Sequence, residues 1–300
     1  MRFRLPIALA LAAIGAPAAA QDLVPGIYTP SPVGFNVVSV ISSFSKGSVT
    51  FDPSLPVQDG HSTLAGVGFG LTRTFDLAGR YANAGVILPA VYGHVQGVLA
   101  GQFEERRRTG QGDLVIRVAV NAYGARAMTP QEFAVYQSSP AQTVVGVSLT
   151  VVAPIGQYDA SRIVNIGTNR WALKPEVGIS RRRGRWTVEG DVAVVLFTDN
   201  TNYLNGGRRE QTPIAAFQGH LIYGIRPGAW VAFDANFWRG GRITTNGVAA
   251  IELQNNSRVG LTLAVPVRRH QLRFAVSQGA YTRLGGDFLQ LGLSYSYAWR

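Results

Sequence analysis

The 300-residue chain contains no cysteine and only two lysines, Lys46 and Lys174. Without cysteine, a disulfide-stapled scaffold, a thiol catalyst and a cysteine-linked lipid anchor are excluded. Long apolar runs are missing beyond residue 20, so no stretch there could cross a bilayer as a helix. Charged residues make up 15% of the chain, and 28 basic residues oppose 17 acidic ones. What remains is an apolar, glycine-rich chain whose positive charge is almost all arginine.

The first 20 residues have the organisation of a secretory signal. Arg2 and Arg4 precede an apolar run, and three alanines supply a small-x-small cleavage site before Gln21. The run is too short to anchor the chain in a bilayer. We therefore expect export, which makes nucleic acid an unsuitable partner despite the basic charge.

Apolar and polar residues then alternate in segments of about ten residues, the pattern of β-strands with one apolar face. Twelve segments can be counted, at 35–45, 62–75, 80–90, 113–123, 143–153, 171–180, 185–198, 214–225, 229–239, 258–267, 271–279 and 288–299. A helix of one or two turns is predicted only at 129–136, with Thr129 as its N-cap.

The connections between these segments alternate in length. Short ones lie at 76–79, 181–184, 226–228 and 268–270, and longer ones at 46–61, 91–112, 154–170, 199–213 and 240–257. An even number of strands with short periplasmic turns and long extracellular loops predicts a closed antiparallel transmembrane β-barrel. The long connection 124–142 breaks the rule, and we place the short helix there. The predicted parts are a signal peptide (1–20), a periplasmic N-terminal segment (21–34) and an outer-membrane barrel (35–300).

Charged residues share the polar face of several strands. A soluble periplasmic sandwich would expose that face to water and bury the apolar one, so alternation alone leaves both folds open. Three features favour the barrel: the loop alternation, aromatics near strand ends such as Trp171, Trp186 and Tyr223, and the final strand.

The final strand, FLQLGLSYSYAWR, has the cleanest alternation in the chain. We expect it to pair with the first strand, since closure removes exposed sheet edges. Its Gln290, Gly292, Tyr295 and Tyr297 resemble the C-terminal signal that the barrel assembly machinery reads. That machinery and outer-membrane lipid are therefore the expected partners.

Several stretches resemble one family, described as "Putative MetA-pathway of phenol degradation". They are DLVPGIYTPSPVGFN (22–36), FDPSLPV (51–57), the run from Ala153 to Gly190, FTDN (197–200), GGRITTNGV (240–248) and TRLGGDF (282–288). The resemblance implies an outer-membrane barrel that passes small solutes, aromatic compounds among them. It transfers no catalytic or binding residue.

Ten charged or titratable residues are predicted to face the lumen: Arg117, Lys174, Glu176, Arg185, Glu189, Asp191, His220, Asp234, Arg258 and Arg273. One interpretation is a basic, arginine-rich constriction that selects solutes. The other is structural, with paired charges that crosslink the inside of the barrel.

Five further residues are predicted at the extracellular mouth: Arg170, Asp199, Arg242, Arg283 and Asp287. They either contact the solute or fold the loops, for example through Arg283 bound to Asp287 or Asp199.

Four aromatic residues, Tyr81, Tyr123, Trp230 and Trp238, have lumen parity and could line a path for phenols. A register error of one residue would turn them towards lipid.

No catalytic constellation is recognisable. None of the four histidines has a serine partner motif, and no His or carboxylate cluster has metal-ligand spacing. We expect a non-enzymatic channel in the cell outer membrane, without a cofactor, for passive passage of small aromatic or hydrophobic solutes. The alternative is a non-conducting structural or adhesion barrel.

Overall fold

The computed structural model describes residues 23–53, 57–162 and 164–300. The predicted signal peptide lies outside the described residues. The elements in chain order are β1 (Asn36–Thr50), β2 (Val57–Leu77), β3 (Arg80–Leu99), β4 (Gln102–Gln111), β5 (Leu114–Tyr123), α1 (Pro130–Ser138), β6 (Ala141–Ala153), β7 (Ala172–Arg183), β8 (Trp186–Phe197), β9 (Asn200–Tyr203), β10 (Gly207–Gln211), β11 (Ile214–Arg226), β12 (Ala229–Gly240), β13 (Ile243–Thr245), β14 (Val248–Ala249), β15 (Gln254–Val267), β16 (His270–Thr282) and β17 (Gly285–Trp299).

Twelve of these strands close into one antiparallel barrel. Around the wall they run β1, β2, β3, β5, β6, β7, β8, β11, β12, β15, β16 and β17. The last strand pairs with the first from Asn36 opposite Trp299 to Thr50 opposite Gly285. All twelve predicted strands and the predicted closure are confirmed.

Residues 91–112, predicted as a loop, are mostly strand. β3 continues to Leu99, and β4 pairs with it from Gln102 opposite Leu99 to Gln111 opposite Ala90. The sequence of β4, QFEERRRTGQ, has no apolar face, so its alternation is invisible to a hydrophobicity pattern. The hairpin extends the wall beyond the lipid-facing band.

Side chains alternate between lipid and lumen as predicted. On β7, Leu173, Val177 and Ile179 are exposed on the outer surface, while Lys174 and Glu176 are buried inside. An apolar outer face of this kind is suited to lipid, and closure of the sheet lets neighbouring strands pair their backbone polar groups. No helix in the described part of the chain is long and apolar enough to cross a membrane.

Tight turns join the strands at the end where β1 begins and β17 ends, which is the periplasmic end. In two of these turns the backbone requires glycine, with φ of +59° at Gly184 and +77° at Gly228. Helix α1 occupies the longer connection there. Thr129 caps it by accepting a hydrogen bond from the backbone of Glu132, whose carboxylate binds Thr129 N in return.

A second, four-stranded sheet lies at the extracellular end. Its order is β14, β13, β10 and β9, so two long loops contribute two strands each. The loops join where Arg209 pairs with Thr245 and Gln211 with Ile243. These loops are therefore folded onto each other.

Candidate functional site

The N-terminal segment occupies the lumen. Tyr28 is only 2% exposed, and its hydroxyl lies 3.0 Å from Glu176 Oε1 and 3.2 Å from Ser148 Oγ. Gly26 N donates to Glu189 Oε2 at 2.6 Å, and Asn121 Nδ2 donates to Tyr28 O at 3.0 Å. The segment was expected outside the barrel in the periplasm, but its residues 26–28 thus pack against strands β5 to β8 from within.

Two glycines make room for this segment. A Cβ at Gly146 on β6 or at Gly178 on β7 would overlap the ring of Tyr28. The wall is therefore shaped to receive one aromatic side chain. Sequence reasoning missed this site, although the bare glycines on the lumen face of two neighbouring strands were a signal for close approach.

The lumen charges near Tyr28 form ion pairs. Lys174 Nζ lies 3.0 Å from Glu176 Oε2, and Arg117 Nη2 lies 3.8 Å from Glu176 Oε1. The Arg117 guanidinium also stands 5.5 Å from the centre of the Tyr28 ring. Because Glu176 also accepts from Tyr28, it joins the wall to the N-terminal segment.

A second polar cluster centres on His220. Its Nδ1 lies 2.7 Å from Asp234 Oδ1, and its Nε2 lies 4.0 Å from Asp191 Oδ2. Thr262 Oγ1 donates to the other oxygen of Asp234 at 2.6 Å. Buried carboxylates are stable only when paired in this way, so the cluster crosslinks β8, β11, β12 and β15.

Of the remaining predicted lumen residues, two face the lumen and one does not. Arg258 is buried and donates to Ser277 and to the Phe288 carbonyl, while Arg273 stands 5.2 Å from the Trp230 ring. Arg185 does not belong with them. It is exposed in the β7–β8 turn, and its guanidinium donates to the Tyr223 hydroxyl on the outer surface at 3.3 Å.

The prediction of a basic lumen is not confirmed. Once Arg185 is removed, the predicted lumen residues comprise four basic and four acidic side chains: Arg117, Lys174, Arg258 and Arg273 against Glu176, Glu189, Asp191 and Asp234. The formal charges balance. The positive charge counted along the chain must therefore lie elsewhere.

The opposite wall is lined by small side chains, which we call the small-residue wall. Its members are Ser39, Ser43, Gly66, Ala275, Ser277, Gly292, Ser294 and Ser296, which share the lumen face of β1, β2, β16 and β17 with the larger Ile41 and Leu64. These residues are partly exposed, in contrast to the buried charges across the lumen. Arg258 reaches the wall at Ser277, and away from that contact the wall is the less filled side of the lumen.

An apolar cluster covers the extracellular end of the small-residue wall. Val49 and Phe51 are buried there, and Val57 and Phe288 pack against them. At the periplasmic end, two wall hydroxyls, Ser39 Oγ and Ser296 Oγ, lie 2.8 Å apart. The wall thus has an apolar cluster at its extracellular end and hydroxyls at its periplasmic end.

Three of the four predicted lumen aromatics face inwards: Tyr81, Trp230 and Trp238. The prediction for Tyr123 is wrong, because a β-bulge between Asn121 and Tyr123 reverses the alternation. Tyr123 is 64% exposed on the outer surface.

The mouth residues mainly hold loops together. Asp199 pairs with Arg208, and Arg283 Nη2 lies 2.7 Å from Glu252 Oε2, not beside Asp287 or Asp199 as expected. Arg170 is buried, with its guanidinium 4.5 Å from the Phe197 ring centre.

The other two predicted mouth residues lie apart from these pairs. Arg242 is exposed, and its backbone N–H donates to the Thr212 hydroxyl at 2.9 Å. Asp287 lies at the start of β17. The structure thus does not gather the five predicted mouth residues into one site.

The NIGTNRW stretch is anchored by a residue outside the predicted site. Asp113 Oδ2 accepts hydrogen bonds from Thr168 N at 2.9 Å and Thr168 Oγ1 at 2.6 Å, and its Oδ1 accepts from Gly156 N at 2.9 Å. Asn169 Nδ2 donates to Asn200 Oδ1 at 2.9 Å. These bonds favour the loop-folding interpretation of this motif.

Comparison with known proteins identifies relatives of this barrel. The crystal structure of the COG4313 outer membrane channel from Pseudomonas putida F1 is similar with a TM-score of 0.76 at 19% identity, over 93% of this chain and 100% of that one. The translocator domain of the autotransporter NalP from Neisseria meningitidis is also similar, with a TM-score of 0.51 at 13% identity, over 94% of this chain and 92% of that one.

At these identities the likeness shows the fold, which is that of outer-membrane barrels. No curated protein sequence matches the chain significantly. The model of one family, described as "Putative MetA-pathway of phenol degradation", matches residues 43–291. The chain therefore belongs to that family.

Proposed function

We propose that this barrel is an outer-membrane channel for passive passage of small aromatic or hydrophobic solutes. The family description names phenol degradation, and the similar Pseudomonas structure is described as an outer membrane channel. The balanced charge of the predicted lumen residues supports an uncharged solute over an anion, since these residues show no excess of either sign.

The observation that carries the proposal is the small-residue wall. If the barrel were purely structural, side chains would be expected to fill the lumen on all sides, as they do across β7, β8, β11 and β12. On the small-residue wall, by contrast, Ser43 on β1 is paired with Gly292 on the neighbouring β17, and both have little side-chain volume. A flat, small molecule suits such a path, and wall hydroxyls could bind a phenolic oxygen in transit.

The test narrows the path at one glycine and uses another as its control. A Cβ at Gly292 would meet only Ala275 in the lumen, at 3.5 Å or more, so Gly292→Leu should fit and fill the path. A Cβ at Gly190, which faces lipid on β8, would meet nothing nearer than 3.9 Å. Both variants add the same side chain to a membrane-spanning strand.

Phenol flux into proteoliposomes and single-channel conductance are the measurements. We expect Gly292→Leu to lower both by about half or more, and Gly190→Leu to match the parent protein. Equal values in all three proteins would contradict the proposed path.

The alternative is a non-conducting barrel, favoured by the N-terminal segment within the lumen and by the ion pairs that hold it. If the protein inserts and folds but shows no conductance, with or without its N-terminal segment, that result would support this second function. Neither function requires catalysis or a cofactor. Assembly through the β17 signal remains a prediction.

A further inference from the structure

The charge of this protein is distributed unevenly between its two ends. The extracellular end of the described chain carries 11 basic and 10 acidic residues, whereas the periplasmic end carries 11 arginines and two carboxylates, Asp76 and Glu132. The arginines, which we call the periplasmic arginine ring, are Arg73, Arg80, Arg126, Arg181, Arg182, Arg183, Arg185, Arg226, Arg268, Arg269 and Arg300. Nearly all of the net charge therefore lies at one rim.

The ring surrounds the whole barrel. Each periplasmic connection carries at least one of its members, from Arg80 at the β2–β3 turn to Arg268 and Arg269 at the β15–β16 turn. Within the described residues, Arg126 is its only member in an ion pair, with Glu132 at 3.7 Å. At the extracellular end, by contrast, five arginines pair with carboxylates.

The ring lies at the depth of lipid headgroups. Arg181 and Arg183 continue the outer face of β7, one and two alternations beyond Ile179, so they follow the apolar band by about 7 and 14 Å. Trp186 and Tyr223 lie beside them on the outer surface, with ring centres 4.9 Å apart. Aromatic pairs of this kind mark the interface between hydrocarbon and headgroups.

We infer that the periplasmic arginine ring binds the phosphate groups of anionic phospholipids in the periplasmic leaflet of the outer membrane. A guanidinium offers two parallel donors to a phosphate, and a ring of them next to an aromatic belt places those donors at the headgroups. An acidic periplasmic protein would need a docking surface below the rim, whereas the outward arginines on β7 project sideways into the lipid. The inference stands independently of the transported solute.

The experiment measures lipid preference with the intact barrel in bilayers. The purified protein is reconstituted in mixtures of phosphatidylcholine and brominated phosphatidylglycerol, and quenching of tryptophan fluorescence reports which lipid lies at the surface. Trp186 and Trp299 are close to the ring and act as the reporters. Phosphatidylglycerol should be enriched at least about threefold over its bulk fraction, and less so at high salt.

Two variants that lose the same number of positive charges distinguish an effect of the ring from an effect of net charge. The ring variant is R181Q/R183Q/R268Q/R269Q, and the matched extracellular variant is R106Q/R107Q/R208Q/R283Q. Heat-modified migration on gels confirms that each barrel is folded. We expect the ring variant to lose the enrichment and the extracellular variant to keep it.

Absence of enrichment in the parent protein would overturn the inference, as would enrichment that survives in the ring variant. Equal loss in both variants would also overturn it, because the effect would then be one of net charge. In the first two cases, an acidic periplasmic protein would be the partner to test instead.

Discussion

Replacement of Tyr28 by alanine should release the N-terminal segment from the lumen wall. The buried ring fills the space over Gly146 and Gly178, and its hydroxyl binds Glu176. Truncation of a buried aromatic side chain costs about 3–5 kcal/mol, which here weakens the docking of the segment. Since each 1.4 kcal/mol is about tenfold in an equilibrium constant, the undocked population should rise by about 100-fold or more.

Single-channel recording in a planar bilayer measures this shift. Tyr28→Ala should show a larger mean conductance and more transitions between levels than the parent protein. Tyr28→Phe is the matched control, because it keeps the ring and loses only hydrogen bonds worth about 1.5–3 kcal/mol when the acceptor is charged. Its conductance should lie between the other two. Identical traces from folded Tyr28→Ala and parent protein would refute the idea that the segment limits the lumen.

Three further predictions concern stability. Asp113→Ala removes three hydrogen bonds from the β6–β7 loop, so limited proteolysis should cut that loop faster than in the parent protein. An unchanged cleavage rate would show that other contacts hold the loop. Asp234→Ala removes the nearer carboxylate partner of buried His220 and should lower the free energy of unfolding in urea by about 3–5 kcal/mol. A change below about 1 kcal/mol would contradict the crosslinking role. The backbone N–H of Thr129 lowers the pKa of Glu132, so its stabilisation of α1 is present at neutral pH and lost as pH falls through that lowered pKa. Hydrogen-exchange protection factors of α1 should show this pH dependence, and Glu132→Gln should abolish it.

The strands and their two faces could be predicted because strand alternation is a local signal with a period of two. Helix α1 could also be predicted from a local signal, because its cap and first turn lie within four residues of Thr129. Closure between β1 and β17 followed from a physical requirement to remove sheet edges, and not from any local pattern. The β4 hairpin escaped prediction because both of its faces are polar.

The side-chain contacts in the lumen were harder to predict than the strands, because the residues that form them are distant in sequence. Tyr28 reaches residues 120 to 148 positions away, and only the folded wall shows the space that its glycines leave. One bulge was enough to turn Tyr123 outwards. Net charge is also a property of the whole chain, so 28 basic residues could not show whether arginine lines the lumen or the rim.

The four-stranded extracellular sheet determines which epitopes this protein presents on the cell surface. Its strands come from two loops, with β9 and β10 between Asn200 and Gln211, and β13 and β14 between Ile243 and Ala249. A binder selected on the intact barrel would meet a discontinuous epitope that neither loop presents as an isolated peptide. Antibodies raised against either loop peptide should therefore recognise denatured protein on a blot and fail to label intact cells.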